Sequence, residues 1–247
     1  MLDELNAVEL LFFAAVIVLS YAIRGSAGFG GVAVPMLAWI ISLKVIAPMV
    51  AFFGLISSLA ILRHDLRHVV WRDLWRILPW CAAGVAAGLY FFKTLDARTL
   101  AQGLGVFVLL YGSWSLWMTF RKAWTFKPPM GAITPVFGTI AGFVGTIFGS
   151  NAGAFFALYL DLLNHAKAEF RATVAAILLG LGVFRVSGYV AVGAYDHDAL
   201  VACAAGLPLM ALGAFLGNRI HANLEQLAFK RFVAVIVILS GLPLLLR

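Results

Sequence analysis

The sequence predicts an all-α polytopic membrane protein built from two inverted-topology repeats, each a glycine-broken helix followed by three transmembrane helices. Three observations carry this reading. Of 247 residues, 63% are hydrophobic and 12% charged, more apolar surface than a soluble globule of this size can hide. The apolar residues form continuous runs separated by short charged loops, without the alternation of a membrane barrel. Two runs are interrupted by polar, glycine-flanked breaks at corresponding places in the two halves.

The first repeat, residues 1–123, opens with Ala7–Leu43, broken at Arg24–Gly31, and continues with Val45–Leu62, Ile77–Phe92 and Thr99–Phe120. The second, residues 124–247, opens with Gly131–Leu163, broken at Gly149–Gly153, followed by Phe170–Tyr195, Ala199–Gly217 and Phe229–Leu246. A helix rising ~1.5 Å per residue needs about 20 residues to cross ~30 Å of hydrocarbon, which several unbroken runs supply. The pieces after the breaks, Val32–Leu43 and Ala154–Leu163, are too short and read as half-helices.

The halves match in detail. Gly25-Ser26 corresponds to Gly149-Ser150; Pro79, Gly84 and Gly88 match Pro208, Gly213 and Gly217 at identical spacings, and Gly112 falls on Gly241. Internal duplication follows. The Gly84/Gly88 and Gly213/Gly217 pairs are small faces that let helices approach closely. If each broken segment enters and leaves on one side, three plain spans per half is an odd number, and the second half is inserted upside down.

The net charge of +7 does not indicate nucleic acid, because the basic residues lie in loops, where they set orientation. Twelve then fall on the cytoplasmic side: Arg63, Arg67, Arg72, Arg76, Arg121, Lys122, Lys127, Lys167, Arg171, Arg219, Lys230 and Arg231. Only Lys44, Lys93, Arg98 and Arg247 are external, as is the N-terminus. The start, Met1–Glu4, lacks a basic region, so no cleaved signal peptide is expected. The loop Arg63–Arg76 is basic and amphipathic and is expected to lie along the interface, with Trp71 and Trp75 at headgroup depth. His64 and His68 have metal-like spacing without a third ligand, and Cys81 and Cys203 are packing residues, so neither metal nor cofactor is expected.

Unwound backbone at membrane depth is tolerable only where it lines a cavity or is buried in protein. Glycines permit the turn, half-helix N-termini carry partial positive charge, and side-chain donors can add to them. The candidate binding set is therefore Ser26, Gly28, Gly30 and Gly31 at the first break, and Gly149, Ser150, Asn151 and Gly153 at the second. The alternative is a pair of kinks that only pack. The segment interiors hold almost no carboxylate except Asp161, whereas Arg24 and Arg185 lie at membrane depth. A planar guanidinium matches an oxyanion. Arg171, Ala175, Leu178, Gly182, Arg185 and Tyr189 share one helical stripe that could face the breaks. Alternatively Arg185 pairs with Asp161 or backbone carbonyls, and Arg24 snorkels outward. Asp161, His165 and Glu169 form either a proton relay or a solvated loop. No nucleophile elbow, zinc motif or phosphate loop is present, and no enzymatic activity is expected.

In order and spacing, Gly25–Gly31 with Val34-Pro35-Met36-Leu37, Gly142-Phe143-Val144-Gly145 with Phe148–Gly153, Phe170-Arg171-Ala172-Thr173 and Phe184–Tyr189 resemble the sulfite exporter TauE/SafE family, also called the toluene sulfonate uptake permease family. The resemblance covers nearly the whole length. It implies transport of sulfur-containing anions such as sulfite or organosulfonates, commonly outward, across the bacterial inner membrane, and it adds Arg171 and Thr173 to the candidate binding set. The sequence departs from the family where Asn151 and Ala152 interrupt the second glycine cluster. The expected partners are a small anionic substrate and the lipid bilayer, with a homo-oligomer left open. A secondary transporter working by alternating access is the first reading; an uncoupled anion channel and a membrane scaffold are the alternatives.

Overall fold

A computed structural model describes residues 6–27, 32–118, 120, 130–149, 152–161, 163, 167–219 and 226–245. Among these residues every regular element is helical. The helices are α1 (Ala7–Ala27), α2 (Ala33–Leu37), α3 (Leu43–Asp65), α4 (Trp71–Thr94), α5 (Ala97–Met118), α6 (Met130–Phe148), α7 (Ala152–Asp161), α8 (Lys167–Ala191), α9 (His197–Arg219) and α10 (Gln226–Leu245). Six of them, α1, α3, α4, α5, α8 and α9, are long and apolar enough to cross a membrane among the described residues. Leu19 (62% exposed), Leu110 (68%) and Leu239 (57%) face outward, a surface that lipid accepts and water does not.

Polar residues at the rims lengthen the helices beyond the apolar runs. At α5, Asp96 accepts from the Thr99 amide and hydroxyl, and these bonds hold its exposed carboxyl below the usual carboxylate range. Two expectations change. The piece after the first break is shorter than a half-helix: α2 holds five residues, because Ser42 caps α3 by accepting from the Lys44 amide at 3.3 Å and starts it early. The stretch Arg63–Arg76 is not one interfacial helix. It divides into the end of α3, a 3-10 turn at Leu66–His68 and the start of α4. Thr173 on α8 accepts from the Val70 amide at 3.0 Å, and Val69 is buried, so the connection is pinned to the bundle.

Close helix contacts use the glycines the sequence pointed to. A Cβ on Gly84 would fall on the Thr139 carbonyl and one on Gly88 against Thr146, so α4 lies directly on α6. In the other half Gly213 meets the Val18 carbonyl and Gly217 that of Ala22, so α9 lies on α1. Each half's fourth helix thus packs on the opening helix of the other half. α3 and α8 run antiparallel: Tyr195, just beyond α8, donates to the Pro48 carbonyl at 3.0 Å, Gly182 lies against Leu55, and Arg171 reaches Asp65 at 3.6 Å. α5 and α10 are also antiparallel, with Gly105 against Gly241 and Leu244, and Gly112 against Ile238.

Both broken segments return towards the end from which they started. Phe12 of α1 stacks on Trp39, beyond α2, with centroids 6.0 Å apart, and Thr134 of α6 bonds Tyr159 of α7 at 3.1 Å. The outbound pieces are long, 21 and 19 residues, and the returning helices short, 5 and 10 residues. One apolar core gathers around α1, α2, α3 and α9, and a second around α4, α6, α7 and α8. These helix directions gather Arg63, Arg67, Arg72, Arg76, Lys167, Arg171 and Arg219 at one end, and Lys44, Lys93 and Arg98 at the other.

Candidate functional site

Two arginines lie inside the bundle within electrostatic reach of each other. Arg24 lies in the last turn of α1, and its Nη2 donates to Ser58 Oγ of α3 at 3.3 Å. Gly54, midway along α3, leaves the backbone open beneath the guanidinium; a Cβ there would sit 3.8 Å from Nη1. Arg24 also stands over the Tyr21 ring at 6.0 Å, and Tyr21 packs edge-on against Phe53. Its partners Gly54 and Ser58 both lie within α3.

Arg185 comes from α8, one turn after the Gly182–Leu55 contact, and is only 7% exposed. It is within electrostatic reach of Arg24 and of the Tyr21 hydroxyl. It is also within electrostatic reach of Tyr189, whose hydroxyl donates to the Thr146 carbonyl, three residues before Gly149. Thus one guanidinium adjoins the first break and the other reaches the threshold of the second through Tyr189. Gly149 has φ +70, a left-handed conformation that favours glycine. A Cβ there would lie 2.9 Å from Ala47 Cα and 3.6 Å from Val34, so the second break rests on the first half.

The electrostatics are one-signed. Nε and Nη2 of Arg185, Nε of Arg24 and the Tyr21 hydroxyl are buried with no hydrogen-bond partner among the described residues, and neither arginine has an ion pair there. A central arginine costs about 3 kcal/mol or more in a membrane span, and an unmet charged donor adds to that. By backbone, Asp161 ends α7, two residues after Tyr159, which is bonded to Thr134, and Thr134 is twelve residues or roughly 18 Å along α6 from Thr146. Such a cluster of donors and positive charge is chemically suited to an anion.

Other expected residues lie elsewhere. Arg171 is exposed at the α3–α8 end, paired with Asp65, and Thr173 is buried there, holding Val70. Both are about 18 Å or more along α8 from Arg185. Glu169 stands in the first turn of α8. Ser26 lies within α1 and Gly153 within α7 by backbone, while Gly28, Gly30, Gly31, Ser150, Asn151 and His165 fall outside the described residues. The sequence reading passed over Tyr21, Gly54 and Ser58. Their signals were Tyr21 three residues before Arg24, on one helix face, and a Ser57-Ser58 pair inside an apolar span.

Comparison with known proteins agrees with this architecture. The family described as "Sulfite exporter TauE/SafE" matches residues 12–244. The chain is 30% identical over 183 residues to the "Probable inner membrane transporter protein TsaS" of Comamonas testosteroni, covering 73% of this chain and 74% of that protein. No solved structure matches significantly. With its helices apolar enough to span a bilayer and a family match over nearly its whole length, the chain is a multi-pass inner-membrane protein and belongs to the sulfite exporter TauE/SafE family of membrane transporters.

Proposed function

We propose that this protein is a secondary transporter of small sulfur-containing anions, sulfite or organosulfonates, which it exports by alternating access between two inverted halves. The observation that carries the reading is the pair Arg24 and Arg185, one from each half, the first part-buried and the second buried, each with buried donors unmet among the described residues. A site shared between halves gains access from either face when the halves rock against each other. The inverted relation of residues 1–123 and 124–247 is supported by the antiparallel packing of α3 on α8 and α5 on α10, and by the exchanged contacts of α4 with α6 and α9 with α1.

The breaks add backbone and hydroxyl donors from Ser26, Gly28, Gly30, Gly31, Ser150, Asn151 and Gly153, next to Gly149. The end carrying Arg63, Arg67, Arg72, Arg76, Lys167 and Arg171 is cytoplasmic by the basic-residue bias, which makes the N-terminus external. Asp161, His165 and Glu169 then serve export as a proton path on the cytoplasmic side.

The test is flux of radiolabelled sulfite in proteoliposomes of the purified chain. Concentrative, gradient-dependent flux supports a carrier. Passive flux that no gradient drives uphill replaces it with an anion channel, and absence of flux for every sulfur anion replaces it with a scaffold.

A further inference from the structure

We infer that the first turns of α4 form a binding site for an anionic phospholipid, held by Arg72 and Arg76 with Trp75 beside them. This surface is separate from the central arginines and independent of what is transported. Arg72, Trp75, Arg76, Pro79, Ala83 and Tyr90 are all exposed and recur with the helical period, so they share one face of α4. The opposite face is taken: Ile77 and Cys81 meet Gly138 and Gly142 of α6, and Leu78 meets Gly180 of α8. Because α4 is long and apolar enough to cross the membrane, its exposed face is the one that lipid covers. That face is apolar from Pro79 to Tyr90, eleven residues or roughly 16 Å of helix. This is about one leaflet of a ~30 Å hydrocarbon core.

One turn before Pro79 the same face becomes basic and aromatic. Arg72 and Arg76 are i, i+4 neighbours, so two guanidinium forks can share the oxygens of one phosphate. Trp75, 66% exposed, adds an indole N–H donor and an apolar ring at the level where headgroup meets acyl chain. The carboxylate of these turns, Asp73, is buried, and Asp65 before them is engaged by Arg171 at 3.6 Å. Arg63, Arg67 and His68 are exposed in the segment leading into α4, and the arginines there deepen the positive potential. The opposite end of the bundle carries Asp96, Asp196 and Asp198 with Lys93 and Arg98, a balanced set. The occupant of the α4 face therefore combines negative charge and hydrocarbon in one molecule. A diacyl phospholipid with a net negative headgroup has that build, its phosphate directly over its chains. A soluble anion leaves the apolar run unused, and a zwitterionic lipid brings its own cation against the arginines.

Nanodiscs of the full chain in phosphatidylcholine with a minor share of phosphatidylglycerol test this. Tryptophan fluorescence is read with bromine on the acyl chains of one lipid or the other. An arginine near an anionic headgroup contributes about fivefold in affinity, so phosphatidylglycerol should quench with at least about a fivefold preference. Arg72→Gln with Arg76→Gln should remove that preference, whereas Arg72→Lys with Arg76→Lys should keep most of it. Trp75→Phe should lose most of the phosphatidylglycerol-specific quenching. Lys93→Gln with Arg98→Gln, at the opposite end, should leave it unchanged. Equal quenching by both lipids in the wild type overturns the inference, and so does a preference that survives in the double glutamine variant. Quenching of Trp75 by neither lipid, with a pair of chains in each nanodisc, assigns the face to a second copy and overturns it as well.

Discussion

Replacing Arg185 by Met is expected to move stability and transport in opposite directions. Arg185 is 7% exposed, and two of its donors have no described partner, so the empty protein bears a burial cost without a compensating bond. A central arginine disfavours its span by about 2.5–3.5 kcal/mol, and replacing buried charge with an apolar chain of similar volume is often neutral or stabilising by about 1–4 kcal/mol. The ligand-free variant should therefore melt at or above the wild-type temperature in detergent. Transport should fall steeply. Two charge-assisted hydrogen bonds to a bound anion contribute about 1.5–3 kcal/mol each, so losing both lowers sulfite uptake by a factor on the order of a hundred or more. Radiolabelled sulfite flux and thermal unfolding measured on one preparation read both quantities. Arg185→Ala should likewise insert normally and fail to transport, whereas Arg185→Lys retains part of the flux because it keeps charge but not the fork. A variant that melts earlier yet carries sulfite at the wild-type rate would refute the reasoning, since Arg185 would then be a structural strut.

The other arginines and the packing glycines separate site from scaffold. Arg171→Ala removes a partly exposed 3.6 Å pair with Asp65 and should change stability by less than about 1 kcal/mol, with sulfite flux close to wild type. Thr173→Val leaves the Val70 amide without its 3.0 Å acceptor and should destabilise by about 1–3 kcal/mol, seen as an earlier melt in detergent. Gly84→Val drives a side chain onto the Thr139 carbonyl across α4 and α6, and overpacking of this kind costs about 1–3 kcal/mol or more. Gly217→Val does the same against Ala22 on α1, and the two variants should lower the melting temperature similarly. Gly54→Leu extends past the 3.8 Å contact with Arg24 and should reduce sulfite flux far more than it lowers the melting temperature.

The sequence by itself determined the fold class, because long apolar runs broken by charged loops leave a chain no choice but to cross lipid as helices. It also marked the paired glycines at 84/88 and 213/217, since the absence of a side chain is visible without coordinates. Arg24 and Arg185 stood out for a similar reason: a charge inside an apolar run is costly wherever it points. What the run boundaries did not contain was where hydrogen bonding from outside the run extends or stops a helix. Ser42 shortened the piece after the first break, and Thr173, from more than a hundred residues away, fixed the turn before α4.

The makeup of the site was decided only by tertiary packing. Arg171 and Arg185 share one stripe of α8, and periodicity treats them alike. The antiparallel crossing with α3 sends the first to Asp65 at the rim and the second to the level of Arg24. Tyr21, Gly54 and Ser58 enter because the Arg24 side chain reaches from α1 to α3 and Tyr21 packs edge-on against Phe53, a meeting between helices that sequence spacing does not contain. Local patterning governs what a segment must bury; which buried groups meet depends on how distant segments cross.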